Sequence, residues 1–246
     1  MGMMTSIAAG TLLGAAGTGL GGAICYAMPG MKRAMQSGIM MFSGGVMTGM
    51  VLLSMLPEAF SGPTPGPGML GLLFSGLFVW LLSRTLRSPR AARAEDISVR
   101  LHRTSLMVIS AIAMHNLPEG LAIGTGMSVA SDYTVTLILL MLLHDIPEGM
   151  AAGVGFRAGE LSAWKGIGAC VAVGLPTGLG AAAGYWIGEI SETFMEGSIA
   201  FAGGAMLLIT ALELLPVACA LDGRLRVMAP AFAAGLALAL TVVAAV

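Results

Sequence analysis

Charge is scarce in this sequence. Only 10% of its 246 residues are Asp, Glu, Lys or Arg, against roughly 25% in a soluble globular domain, and that shortfall excludes a water-solvated fold. The 12 basic and 13 acidic residues nearly cancel, leaving a net charge of −1. A nucleic-acid binder needs a basic face, so nucleic acid is excluded as a partner. Cysteine is too sparse for a disulfide framework: Cys25, Cys170 and Cys219 are scattered through apolar stretches and read as small core residues. Aromatic residues make up only 6%, which leaves a carrier of organic solutes little to stack against. No basic region precedes the first apolar run, so the stretch 5–28 reads as a retained span rather than a cleaved signal.

What fills the chain is apolar, at 57%. A bilayer span takes about 20 mostly apolar residues, and the breaks at charged or Pro/Gly-rich points predict eight helices, near 5–28, 36–60, 66–86, 103–130, 134–157, 164–188, 197–219 and 227–246. The expected fold class is therefore an all-α integral membrane protein, with 1–246 a single transmembrane domain. Basic residues mark cytoplasmic connections. Lys32 and Arg33, the run from Arg84 to Arg103, Arg157 and Lys165, and Arg224 and Arg226 all fall in odd-numbered connections. Even ones hold only acids: Asp132, then Glu189, Glu192 and Glu196. Both termini are expected outside and the longest loop, about Arg87 to His102, inside. The arginine run reads as a topology and headgroup anchor, and the 20 methionines as packing or lipid-facing residues.

The chain also repeats itself. At an offset of 159 residues Met41–Ala59 aligns with Ala200–Ala218, sharing Phe, Gly-Gly, Met, Leu, Leu, Pro and Ala; the same register superposes Thr18–Gly21 on Thr177–Gly180 and Gly76-Leu77 on Gly235-Leu236. The expected first helix runs inward and the sixth outward, so the two triplets have inverted topology, a plan common among secondary transporters. Helices four and five lie between them and repeat each other at an offset of 29: His115-Asn-Leu-Pro-Glu-Gly120 against His144-Asp-Ile-Pro-Glu-Gly149. The predicted arrangement is 3+2+3.

Ionisable residues inside a span are costly unless paired, hydrated or bound to metal, and mark a functional site. Residues four apart share a helix face, which sets His115 above Glu119 and His144 above Glu148. Two facing helices then offer two imidazoles and two carboxylates to one point. That donor set suits Zn²⁺, with Fe²⁺, Mn²⁺, Cd²⁺, Co²⁺ and Ni²⁺ also compatible, and the lack of Cys or paired Met argues against Cu(I). Asn116 and Asp145, one position on, could hold a second ion with the glutamates bridging. A lone membrane histidine is more often an interhelical hydrogen bonder, but two in duplicated frames favour metal. Pro118 and Pro147 cannot donate to the carbonyls of Met114 and Leu143, so each frees an oxygen beside the ligands.

At these motifs the chain resembles the ZIP (Zrt/Irt-like) family of divalent metal transporters, particularly its short bacterial members. The resemblance implies a primary transport site of His115, Glu119, His144 and Glu148, with Asn116 and Asp145 joining the glutamates at an adjacent one. It implies a ZIP-like bundle in which spans 1, 4, 5 and 6 carry the metal past spans 2, 3, 7 and 8, elevator fashion, often in a homodimer of the cell's inner membrane. The family's Leu-Pro-Glu at the outer mouth matches Leu56-Pro57-Glu58, and its seventh-helix acid at the inner mouth matches Glu213. One departure stands out. Bacterial members carry Glu in a sixth-helix G-L-x-E-P where this chain has Thr177, so the adjacent site lacks one carboxylate.

The function expected is secondary transport of divalent metal ions, Zn²⁺ first, into the cytoplasm, with the ion as cargo and no prosthetic cofactor. The alternative is an intramembrane metallohydrolase, which needs an open coordination position and a base, typically in H-E-x-x-H. Here the frame is H-x-x-x-E and is duplicated, and such symmetry favours passage over directional chemistry.

Overall fold

The computed structural model describes residues 3–85, 97–129, 133–187 and 192–244. Arg87, Arg90, Arg93, Asp132 and Glu189 lie outside the described residues, as do the side chains of Arg100, His102 and Glu192. The described residues are helical, without strands: α1 (Met3–Ala27), α2 (Arg33–Met50), α3 (Leu56–Ala59), α4 (Gly66–Thr85), α5 (Ile97–Val129), α6 (Tyr133–Ala158), α7 (Ala163–Val173), α8 (Leu175–Ile187), α9 (Glu192–Ile209), α10 (Leu215–Leu221) and α11 (Leu225–Ala244). Six helical stretches among them are long and apolar enough to cross a membrane: Met3–Ala27, Arg33–Ala59, Gly66–Thr85, Ala163–Trp186, Glu196–Leu221 and Leu225–Ala244. The protein is an α-helical membrane protein.

Local chemistry explains where these stretches deform. Proline lacks an N–H and its ring crowds the carbonyl four residues back. Ahead of Pro57 and Pro216 the helix widens into π turns, Val51–Met55 and Thr210–Leu214, closed by i→i−5 bonds from Leu56 N–H to the Val51 carbonyl and from Leu215 N–H to that of Thr210. The stretch expected as one helix over 164–188 breaks between α7 and α8. Pro176 cannot bond the Ala172 carbonyl, so the chain tightens: Gly174 N–H reaches Val171 O at 3.1 Å and Thr177 N–H reaches Gly174 O at 3.2 Å. Helix α5 begins at Ile97, within the expected loop, because a helix can continue past the depth at which charges appear.

Glycines set how the helices pack. A Cβ on Gly149 would stand 2.0 Å from the Thr18 carbonyl, and one on Gly120 would stand 2.0 Å from that of Thr177. Only glycine lets the backbones approach so closely. Among the described residues these close approaches fall into two sets. One joins α1, α5, α6, α7 and α8; the other joins α2, α3, α4, α9, α10 and α11. Between the sets lies a core rich in methionine, with Met40, Met47, Met107 and Met206 fully buried beside Ile112 and Ile209. Leucines and phenylalanines such as Leu12, Leu73, Phe74 and Leu179 cover the outer faces, as a hydrocarbon solvent requires.

Two expectations fail here. Cys25 and Cys170 are buried, but Cys219 is exposed on α10, because its side of that short helix is turned outward with Ala220. Glu196, expected in an outer connection, lies inside α9 and is buried, since the helix begins at Glu192. At the opposite chain reversal, Arg157 caps the end of α1 by donating to the carbonyls of Cys25 and Met28. Beyond α10, the Arg224 guanidinium hydrogen-bonds Asp222 and holds its carboxyl below the usual range.

Candidate metal centre

Helices α5 and α6 each run continuously through a proline, Pro118 and Pro147, and each presents one turn of polar residues into the packed interior. His115, Asn116, His144, Asp145 and Glu148 are all buried. The imidazoles of His115 and His144 meet edge to face, with ring centroids 5.9 Å apart. Both Nε2 atoms point at a single oxygen, Glu119 Oε1, at 2.7 Å each. Asp145 Oδ1 stands 3.6 Å from His144 Nε2, too far for a hydrogen bond.

Donor atoms from His115, His144 and Glu148 lie within 4.8 Å of one another, and so do donors from Glu119, His144 and Asp145. His144 belongs to both groups. Neither carboxylate oxygen of Glu148 has a hydrogen-bond partner, although the residue is 1% exposed. Asp145 Oδ1, Asn116 Oδ1 and His115 Nδ1 are likewise buried without one. Unpartnered polar atoms at such depth are costly. Metal–ligand bonds to His and carboxylate are about 2.0–2.2 Å, so modest side-chain rotation could close either group around a divalent cation.

The other sequence candidates divide. Asn116 is committed on one side: its Nδ2 donates to the Val173 carbonyl at 3.0 Å. That acceptor is free because Thr177 N–H bonds Gly174 O instead. Thr177 is buried with its hydroxyl unpartnered. Its backbone is what Gly120 packs against. Glu58 lies exposed on α3, away from the cluster. Glu213, in the second π turn, pairs with Arg103 of α5 at 2.8 Å.

Two contacts escaped sequence reasoning. Arg103 turns inward to an acid, where its place in an arginine run suggested a headgroup anchor. Ser43 of α2 donates to the Pro147 carbonyl at 2.6 Å. The usual acceptor role of that carbonyl within a helix gave no signal for it.

Buried imidazole and carboxylate groups gathered inside a bundle of apolar helices define a polytopic membrane protein with a cluster of potential metal donors at its core. The sequence model of the ZIP zinc transporters matches residues 87–222, which include α5 to α10 and every donor of the cluster. The chain belongs to the ZIP zinc transporter family. Similar proteins include the zinc transporter ZupT of Chlorobium luteolum, 30% identical over 131 residues that cover 46% of this chain and 49% of that protein. The ZupT of Chlorobium limicola is 28% identical over 133 residues, with the same shares covered. The chain thus spans about half the length of the relatives it matches. The family is one of transporters rather than enzymes, which does not favour the metallohydrolase alternative.

Proposed function

We propose that the protein is a secondary transporter that moves divalent cations, Zn²⁺ foremost, into the cytoplasm. The observation that carries this reading is the convergence of His115 and His144 on one Glu119 oxygen beside the buried, unpartnered carboxylate of Glu148. His115, Glu119, His144 and Glu148 form the transport site in this reading. Asn116 supplies its free Oδ1, and Asp145 a carboxylate, to an adjacent position. Glu58 draws cations to the outer mouth, Thr177 lines the carrier beside Gly120, and Glu213 receives the ion on the inner side.

Movement follows an elevator. The set α1, α5, α6, α7 and α8 carries the ion past the set α2, α3, α4, α9, α10 and α11. Two features support it: among the described residues close glycine approaches stay within each set, and the seam between them holds methionines, whose unbranched thioethers repack readily. The proposed plan is eight spans in a 3+2+3 inverted repeat, with α5 and α6 as the central pair. It is supported by matched approaches at the repeat offsets, such as Gly149 on Thr18 against Gly120 on Thr177, and Gly21 on Ile146 against Gly180 on Leu117. Both termini lie outside the inner membrane, and the working unit is a homodimer.

The test is Zn²⁺ entry into proteoliposomes containing a zinc-sensitive dye. The parent chain should take up Zn²⁺, and Glu119→Ala and His144→Ala should not. Uptake by those variants at the parent rate overturns the site assignment.

A further inference from the structure

The Arg103–Glu213 pair joins the two sets of helices, α5 on one side and the second π turn on the other. It is a poorly satisfied pair. Arg103 reaches one carboxylate oxygen through one nitrogen, where a strong arginine–carboxylate contact is bidentate. Among the described residues its Nε is buried without a partner, and its other hydrogen-bonding neighbour is the weak acceptor Met107 Sδ at 3.7 Å. The desolvation of a partly buried pair with unmet donors offsets much of its attraction, so its net contribution to stability is small even though losing one partner is felt.

The repeat does not call for it. At the offset of 159 residues Glu213 corresponds to Ser54, in a π turn of the same length. The fold therefore builds that turn without an acid. The second turn is also held from the scaffold side, where Thr210 Oγ1 lies 3.7 Å from Met47 Sδ. The ion pair is thus an added link, about 18 Å along α5 from His115 at ~1.5 Å per residue.

We infer that Arg103 is a tethered cation that occupies Glu213 until a divalent ion displaces it, latching α5 to the second π turn in the meantime. The inference rests on the transport reading for its displacement step, while the latch itself is a property of the fold. A divalent ion leaving the cluster toward the basic end meets Glu213 already engaged. Its double charge outcompetes the guanidinium for the carboxylate, and α5 is released as the ion departs.

Amide hydrogen exchange on the full chain in lipid nanodiscs reads both parts. Without metal, Arg103→Gln and Glu213→Gln should each speed exchange over 103–110 and 210–215 by about tenfold, as expected for loss of a local constraint. Arg103→Lys should stay close to the parent, and the charge-reversed double variant Arg103→Glu/Glu213→Arg should return toward it. Saturating Zn²⁺ on the parent should speed exchange at 210–215 while slowing it at 115–119 and 144–148. Single variants that exchange like the parent, or a double variant as open as the singles, overturn the latch. Zn²⁺ that protects the motifs but leaves 210–215 unchanged overturns displacement. Zn²⁺ that protects neither motif overturns the transport reading and with it displacement, while the metal-free variants still decide the latch.

Discussion

The stretches Val51–Met55 with Leu56–Ala59, and Thr210–Leu214 with Leu215–Leu221, follow one plan: a π turn, then a short helix that opens on Leu-Pro. They differ in where they carry charge. The first has its acid, Glu58, on the exposed side after the proline; the second has Glu213 before it, paired with Arg103. The centre of the molecule is different again. There the paired motifs of α5 and α6 match residue for residue except at Asn116/Asp145 and Leu117/Ile146. Like parts at the centre suit a cation held equally from both sides; unlike acids at the two ends suit a path with a direction.

The largest effect should come from the centre. His144 belongs to both donor groups, so His144→Ala should reduce Zn²⁺ uptake by more than about 100-fold, the upper range for disturbing outer-shell partners alone. Glu58→Gln, at an exposed end, should change it only a few-fold. Equal losses would erase the distinction between centre and ends.

Acid should act at the centre next. Metal ligands bind deprotonated, so Zn²⁺ affinity should fall as the pH is lowered from about 8 to about 5. Zinc-induced thermal stabilisation measured across that range checks it, and a pH-independent shift would place binding on groups other than the imidazoles.

Gly120→Ala and Gly149→Ala test the matched packing. Each puts a methyl against a backbone carbonyl, and each should destabilise the protein by roughly 1–3 kcal/mol, as overpacking does. Similar losses in thermal unfolding sharpen the equivalence of the two helix pairs; a loss at only one breaks it. The smallest effect belongs to Ser43, whose counterpart is Ala202. Ser43→Ala removes one hydrogen bond to Pro147 and should cost about 1 kcal/mol.

Much of this was legible in the residues themselves. The paired H-x-x-P-E-G frames, the helical spacing that puts each histidine above a glutamate, and the low charge were sufficient for a helical membrane protein with a polar cluster inside. The rest depends on three-dimensional relations that linear patterns do not carry. Spacing within one helix sets His115 above Glu119, but nothing in it says that His144 shares the same oxygen. Asn116 looked like a free ligand until the break at Gly174 exposed the Val173 carbonyl to its amide. Arg103 was read by position, as one of a run near a span's end, whereas its partner is 110 residues away in sequence. Glu196 and Cys219 were misread for a related reason: helix ends and helix faces depend on neighbours that periodicity in a uniformly apolar stretch does not reveal.

The most direct test is anomalous scattering at the zinc edge from crystals soaked in Zn²⁺. A strong peak within bonding distance, about 2.0–2.2 Å, of Nε2 of both His115 and His144 is the expected result. Peaks confined to Glu58, Glu213 or the surface, with those two imidazoles bare, would contradict it.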